Sequence, residues 1–99
     1  MAEESKTERG LATYASKRGW YCRKWVSPSR RGVPDHIFIA PDGVVWFLEF
    51  KAKGKKPTPM QEREIRLIKS NHANARVIDC LDDGKRFVDI HTPKETTRP

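Results

Sequence analysis

Pro34-Asp35-His36-Ile37-Phe38-Ile39-Ala40-Pro41-Asp42-Gly43-Val44-Val45-Trp46-Phe47-Leu48-Glu49-Phe50-Lys51 reads as two apolar strands around a tight turn. Pro41 presets φ for the first turn position, Asp42 suits the second, and Gly43 supplies the left-handed residue of a three-residue hairpin loop. Ala40 then faces Val44. Counting outward along an antiparallel ladder puts Ile39 opposite Val45, Ile37 opposite Phe47 and Asp35 opposite Glu49, with Cβ atoms roughly 4.5–5.5 Å apart. Lys51 falls on the same face two residues further on. A two-residue loop would slip the register by one and send the two carboxylates to opposite faces. Ile37, Ile39, Val45 and Phe47 share the carboxylate face, while Phe38, Ala40, Val44, Trp46, Leu48 and Phe50 share the other, so the sheet is predicted to be covered on both sides.

Two facing carboxylates repel and raise the pKa of at least one, whereas a divalent cation holds both ionised. Hard oxygen donors favour Mg²⁺ or Mn²⁺, which take one or two carboxylates, keep several waters and accept a phosphate oxygen. Such an ion activates water and polarises a phosphoryl group, and Lys51 is suited to orient that water and offset developing charge. This points to phosphodiester hydrolysis. The plainer reading of the same residues is a cross-strand Asp/Glu/Lys cluster on a solvated face, although carboxylates on a covered face need a compensating partner.

Pro34-Asp35 followed by Glu49-Phe50-Lys51 resembles the PD-(D/E)XK nuclease signature. The longer set Arg31-Gly32-Val33-Pro34-Asp35, Phe47-Leu48-Glu49-Phe50-Lys51-Ala52 and Thr58-Pro59-Met60-Gln61 resembles the VRR-Nuc branch of that superfamily. The resemblance runs from about Glu8 to Asp79 and implies a restriction-endonuclease-like αβββαβ core, metal-dependent DNA cleavage and an acidic residue on the first helix. It further implies homodimers acting on branched DNA such as four-way (Holliday) junctions. On that footing Asp35, Glu49, the Phe50 carbonyl and Glu8 are the expected metal-binding groups, with Lys51 and Gln61 completing the catalytic set.

Ser5-Lys6-Thr7-Glu8 has capping-box spacing, and Leu11, Tyr14 and Ala15 recur at helical intervals before Gly19, predicting a helix over about Ser5 to Arg18. Glu8 either caps Ser5 or projects from the inward stripe toward the site. The stretch from Glu8-Arg9-Gly10-Leu11 to Gly19-Trp20 is similar to the opening helix of archaeal Holliday-junction resolvases, which favours Glu8; Glu4 competes, one turn earlier, but falls outside the helix if Ser5 is its cap. Thr58 and Gln61 form a second capping box with Pro59 at the first helical position, and Gln61 is expected to serve either as cap or in the active site. That helix is predicted from about Pro59 to Ser70, with Met60, Ile65, Leu67 and Ile68 inward. Strands are expected near Trp20 to Val26 and Ala75 to Cys80, with a short one over Arg86 to Ile90. The whole is an α/β domain with a mixed sheet flanked by helices.

The 99 residues suit a single nuclease domain spanning 1–99 with a polar, frayed tail from about residue 92, small enough that dimerisation would help bury surface. A net charge of +7 favours a polyanionic partner, and Arg30, Arg31, Lys53, Lys55 and Lys56 flank the site as phosphate contacts would. Trp20, Tyr21 and Trp25 are expected to pack rather than stack on bases. Cys22 and Cys80 lack metal-ligand spacing and are expected to be free thiols, and His36, alternating to the face opposite Asp35, is not expected to bind zinc. No apolar run approaches membrane-span length, so a cytoplasmic protein of a bacterium or phage is expected. A nuclease acting on linear, flap or single-stranded DNA and a non-catalytic DNA-binding module of the same fold are the alternatives.

Overall fold

The computed structural model describes residues 2–94, with side chains from residue 4 onward. Gly43 stands at φ +92°, its N–H bonds the Ala40 carbonyl at 2.8 Å, and the Ala40 N–H bonds the Val44 carbonyl at 2.9 Å. These bonds close the three-residue loop and set the register of everything around it. The elements run α1 (Ala2–Ser16), β1 (Tyr21–Lys24), β2 (His36–Ile39), β3 (Val45–Phe50), α2 (Pro59–Ser70), β4 (Asn74–Ile78) and α3 (Leu81–His91). The sheet order is β1-β2-β3-β4; the first three strands are antiparallel and β4 joins β3 in parallel. Crossover helix α2 supplies the length that a parallel connection requires.

Strand alternation decides which face is buried. Phe38, Ala40, Leu48 and Phe50 point to one side, where they pack with Leu11 and Ala15 of α1, Trp20, Ile78, and Phe87 and Val88 of α3. The two helices meet at Gly84, where a Cβ would lie 2.8 Å from Leu11 Cδ2. Only a residue without a side chain permits that approach. Trp20 is buried here and its Nε1–H donates to Thr92 Oγ1 at 2.7 Å, while the Thr92 hydroxyl donates to the Val88 carbonyl at 2.6 Å.

Several expectations need correction. Helix α1 begins at Ala2 and not at a Ser5 cap, so Glu4 lies within it. Residues 86–90 belong to α3 and not to a strand: Cys80 Sγ caps the Asp83 N–H, Asp82 and Asp83 stabilise the first turn, and Leu81, Gly84, Phe87 and Val88 form an inward helical stripe. The strands are shorter than expected, with Trp25 and Val26 beyond β1 and Cys80 capping α3 after β4 has ended. In α2, Met60 and Leu67 are 46% and 45% exposed, and the inward positions are Ile65 and Glu64. The sheet is fully covered on one face only, because Ile37, Ile39 and Phe47 are half-buried and Val45 is exposed. Thr92 is tied down by its two hydrogen bonds rather than frayed; residues 95–99 of the expected tail lie outside the described residues.

Candidate active site

Observed pairs Ile39 with Val45, Ile37 with Phe47 and His36 with Leu48 match the register drawn from the turn. Continuing it by one residue brings Asp35 across from Glu49. The Trp25 N–H bonds the Asp35 carbonyl at 2.9 Å, which extends the neighbouring ladder to the same point and fixes the backbone there. Glu49 is 7% exposed, whereas the Asp35 side chain is 43% exposed. Burial, helped by the Asp35 charge and by Glu4, pushes Glu49 up to about 7, against the opposing pull of Lys51 and His36. Lys51 Nζ lies 4.0 Å from Glu49 Oε2, its side chain largely buried and its backbone N–H bonded to the Ile78 carbonyl at 2.9 Å. Phe50 ends β3 with its ring in the core, edge-on to His36 at 4.7 Å between centroids.

Gln61 caps α2 and its side chain also reaches Glu49. Its Oε1 accepts from the Thr58 N–H at 2.9 Å and its own N–H donates to Thr58 Oγ1 at 3.2 Å, completing the capping box. The free end of the amide, Nε2, donates to Glu49 Oε2 at 3.2 Å. One amide carries an acceptor and a donor, and the helix start is placed so that each is used.

His36 is the residue that the sequence reading set aside. It alternates to the core face, as expected, and is buried, yet its Nδ1 lies 2.7 Å from Asp35 Oδ1 and its Nε2 3.3 Å from Glu8 Oε1. The hydrogen bond to His36 holds the Asp35 carboxyl below its ordinary value, with Lys24 adding to the effect. Strand alternation governs the direction of Cβ, but an imidazole is long enough to return to its neighbour's carboxylate. Glu8 therefore reaches the site through His36, and it also lies 3.9 Å from Lys24 Nζ. Glu4, one turn earlier on α1, acts on Glu49 through its charge.

The basic residues divide by partner. Arg30 Nη2 bonds Glu64 Oε2 at 2.9 Å, compensating a buried carboxylate and docking the loop after β1 on α2. The same loop approaches α2 at Gly32, which has φ +85° and where a Cβ would lie 2.7 Å from the Met60 carbonyl oxygen. Arg31 is exposed, as are Lys53, Lys55 and Lys56 on the loop between β3 and α2. That loop turns at Gly54, whose N–H bonds Asp79 Oδ2 at 3.4 Å. Cys22 and Cys80 are free thiols. Among the described residues no helix is long and apolar enough to cross a membrane.

No family model matches the chain. A protein described as "Putative nuclease p44", from Acyrthosiphon pisum secondary endosymbiont phage 1, is 44% identical over 83 residues, which span 83% of this chain and 88% of the relative. A solved structure described as a VRR_NUC domain aligns with a TM-score of 0.83 at 28% identity, over 90% of this chain and 97% of that one.

Proposed function

The chain belongs to the VRR-Nuc family, and from that premise we propose that it is a divalent-metal-dependent DNA endonuclease. The observation that carries the reading is Glu49: a buried carboxylate facing Asp35, raised to about 7, with Lys51 and Gln61 turned toward it. A structural cluster gains nothing from burying such a group; a cation site does. The donors fit Mg²⁺ or Mn²⁺, since the candidate ligands are all hard oxygens and such ions complete their shell with water and phosphate oxygen. Among the described residues, no group of three His, Cys, Asp or Glu side chains is gathered as a protein-only cage. Asp35 and Glu49 would hold the ion, with the Phe50 carbonyl as a further donor. When bound, it would neutralise the phosphoryl charge and lower the pKa of an attacking water.

This chain's own groups do the rest. Lys51 donates to the attacking water or a non-bridging phosphoryl oxygen and offsets the charge that develops there. Gln61 fixes the Glu49 rotamer through Nε2, and His36 fixes Asp35 through Nδ1, so both carboxylates are oriented before substrate arrives. Glu8 secures the far side of His36, and Glu4 adds negative potential beside Glu49. Arg31, Lys53, Lys55 and Lys56 contact phosphates, while Arg30 serves chiefly to hold its loop on α2. The whole chain acts as one nuclease domain, in the cytoplasm of a bacterium or of a phage host, a reading that the phage source of the relative supports.

Branched DNA, with two sites in a C2 homodimer, is the preferred substrate in this reading, because symmetric cleavage of two strands needs two equivalent sites. The test is an end-labelled four-way junction beside a linear duplex of the same sequence, with Mg²⁺ or Mn²⁺, wild type and Lys51→Ala. Symmetric nicks in the junction alone, lost in the variant, are expected. Cutting of linear or flap DNA instead would remove the junction preference, and salt-sensitive binding without scission would remove catalysis. A monomeric mass by light scattering at working concentration would remove the dimer.

A further inference from the structure

On the helical side of the sheet, α1 and α3 border an elongated groove of about 770 Å³ whose rim is strongly basic. Lys6, Arg9, Thr13 and Lys17 recur at three- and four-residue spacing and form one stripe of α1, and Lys85 projects from α3. Gly10 and Leu81 lie between them; Leu81 fills the space beside Gly10, where a Cβ would sit 3.2 Å from it. Tyr14 stiffens the far end. The Arg18 guanidinium stacks 3.4 Å from the centre of its ring, and its hydroxyl donates to Asp89 Oδ1 at 2.7 Å. Asp89 thereby offsets Arg18, from which it lies 3.7 Å. Among the described residues, no ion pair holds Lys6, Arg9, Lys17 or Lys85.

The charge is strung out, not convergent. From Lys6 to Lys17 the stripe spans about 16 Å of helix, the axial length of about five base pairs of duplex. A single small anion cannot satisfy charges so far apart, whereas a polymer of evenly spaced phosphates can. A lipid surface is the poorer match, because none of the exposed large apolar side chains lines this groove to anchor it. Arg9 also lines the smaller cleft that holds Glu8, Lys24 and His36, so the basic band starts at the candidate site and continues around α1.

We propose that the α1/α3 groove is a second DNA-backbone site, which grips a duplex segment beyond the one presented to Asp35 and Glu49. The choice of DNA as the polyanion rests on the nuclease reading. Contacts of this type fix register and orientation without reading sequence, and each adds to the salt dependence of binding.

The experiment measures binding of a fluorescein-labelled duplex of about 30 base pairs in chelator, between about 50 and 200 mM salt. It compares wild type with a Lys6→Ala, Lys17→Ala, Lys85→Ala triple variant and with a control triple, Arg66→Ala, Lys69→Ala, Lys94→Ala, of equal charge change. Loss of three phosphate contacts should lower the salt slope by about 2 to 3 in the groove variant and leave the control within about 1 of wild type. A Lys→Arg triple at the groove positions should keep the slope, which separates lost charge from damaged folding. Equal effects in both alanine triples would overturn the proposal. So would unchanged duplex binding with loss of binding to phosphatidylserine vesicles. Because the assay contains no metal, failure of the enzyme to cut DNA would sink the nuclease reading while the slope still decides the groove.

Discussion

Replacing Glu49 by glutamine isolates the electrostatic cost of the site. The folded carboxyl has a pKa of about 7 against a reference value of 4.5, so between those pH values the folded chain holds a proton that the unfolded chain has released. Stability must therefore fall as pH rises through this window, at up to about 1.4 kcal/mol per pH unit. Integrated from pH 5 to pH 8, wild type loses about 2–3 kcal/mol that Glu49→Gln does not lose. Burial is the main cause of the shift; the charges of Asp35 and of Glu4 from α1 add to it, while Lys51 and His36 oppose it. The lowered pKa of Asp35 works in the opposite sense: it adds stability above its unfolded pKa, lost as pH falls through the folded value, and this is common to both proteins.

Denaturant melts of both proteins in chelator at pH 5 and pH 8 read the difference directly. The variant should gain about 2–3 kcal/mol on wild type over that interval, equivalent to roughly 10 °C or more in Tm for a domain of this size. Addition of Mg²⁺ at pH 8 should then raise the wild-type Tm and leave the variant unmoved. A stability difference that stays constant with pH, or moves the other way, would refute the picture of a carboxylate held at the expense of the fold.

Lys51→Ala should lower the single-turnover cleavage rate by about 10²–10³-fold while duplex binding in Ca²⁺ stays within a few-fold of wild type, since the group acts where charge develops. His36→Ala should leave Asp35 and Glu8 without their shared partner and cost about 1–3 kcal/mol; His36→Asn, which keeps a donor near Asp35, should recover more of the Mg²⁺-induced rise in Tm than alanine, and equal behaviour of the two would sink the positioning role. Gly32→Ala, which combines a positive φ with a Cβ 2.7 Å from the Met60 carbonyl oxygen, should destabilise more in urea melts than Gly43→Ala, where the φ is also positive but nothing lies within 4 Å. Gln61→Glu should keep the capping box and melt within about 1 kcal/mol of wild type, yet lose Mg²⁺-induced stabilisation; Gln61→Ala should lose both.

The parts of the fold that were legible are those governed by short periodicities. Turn chemistry at Pro41-Asp42-Gly43 fixed the hairpin register, and with it the approach of Asp35 to Glu49. Thr58, Pro59 and Gln61 marked the start of α2 to the residue. Misreadings fell where tertiary packing outweighs local pattern. Arg86 to Ile90 fit a short strand, but they lie inside α3, which passes within contact of Leu11 at Gly84. Met60 and Leu67 fit an apolar stripe, yet Glu64 takes the inward place because Arg30, distant in sequence, supplies its counter-charge.

The same distinction explains the acidic residues of α1. Sequence posed Glu4 and Glu8 as rivals for one role, with the assumed Ser5 cap as the tiebreaker. Helix α1 instead runs through both positions, and residues four apart share a face. Glu4 and Glu8 are therefore brought to the same end of the sheet, each acting on a different group there. Glu4 raises Glu49 through space, while Glu8 meets the imidazole whose other nitrogen bonds Asp35. Each facing carboxylate of the hairpin is thus coupled to its own glutamate on the helix, one by field alone and one through His36. A division of labour follows: removing Glu4 should lower the Glu49 pKa without disturbing Asp35, and removing Glu8 should loosen His36 and Asp35 before it affects Glu49.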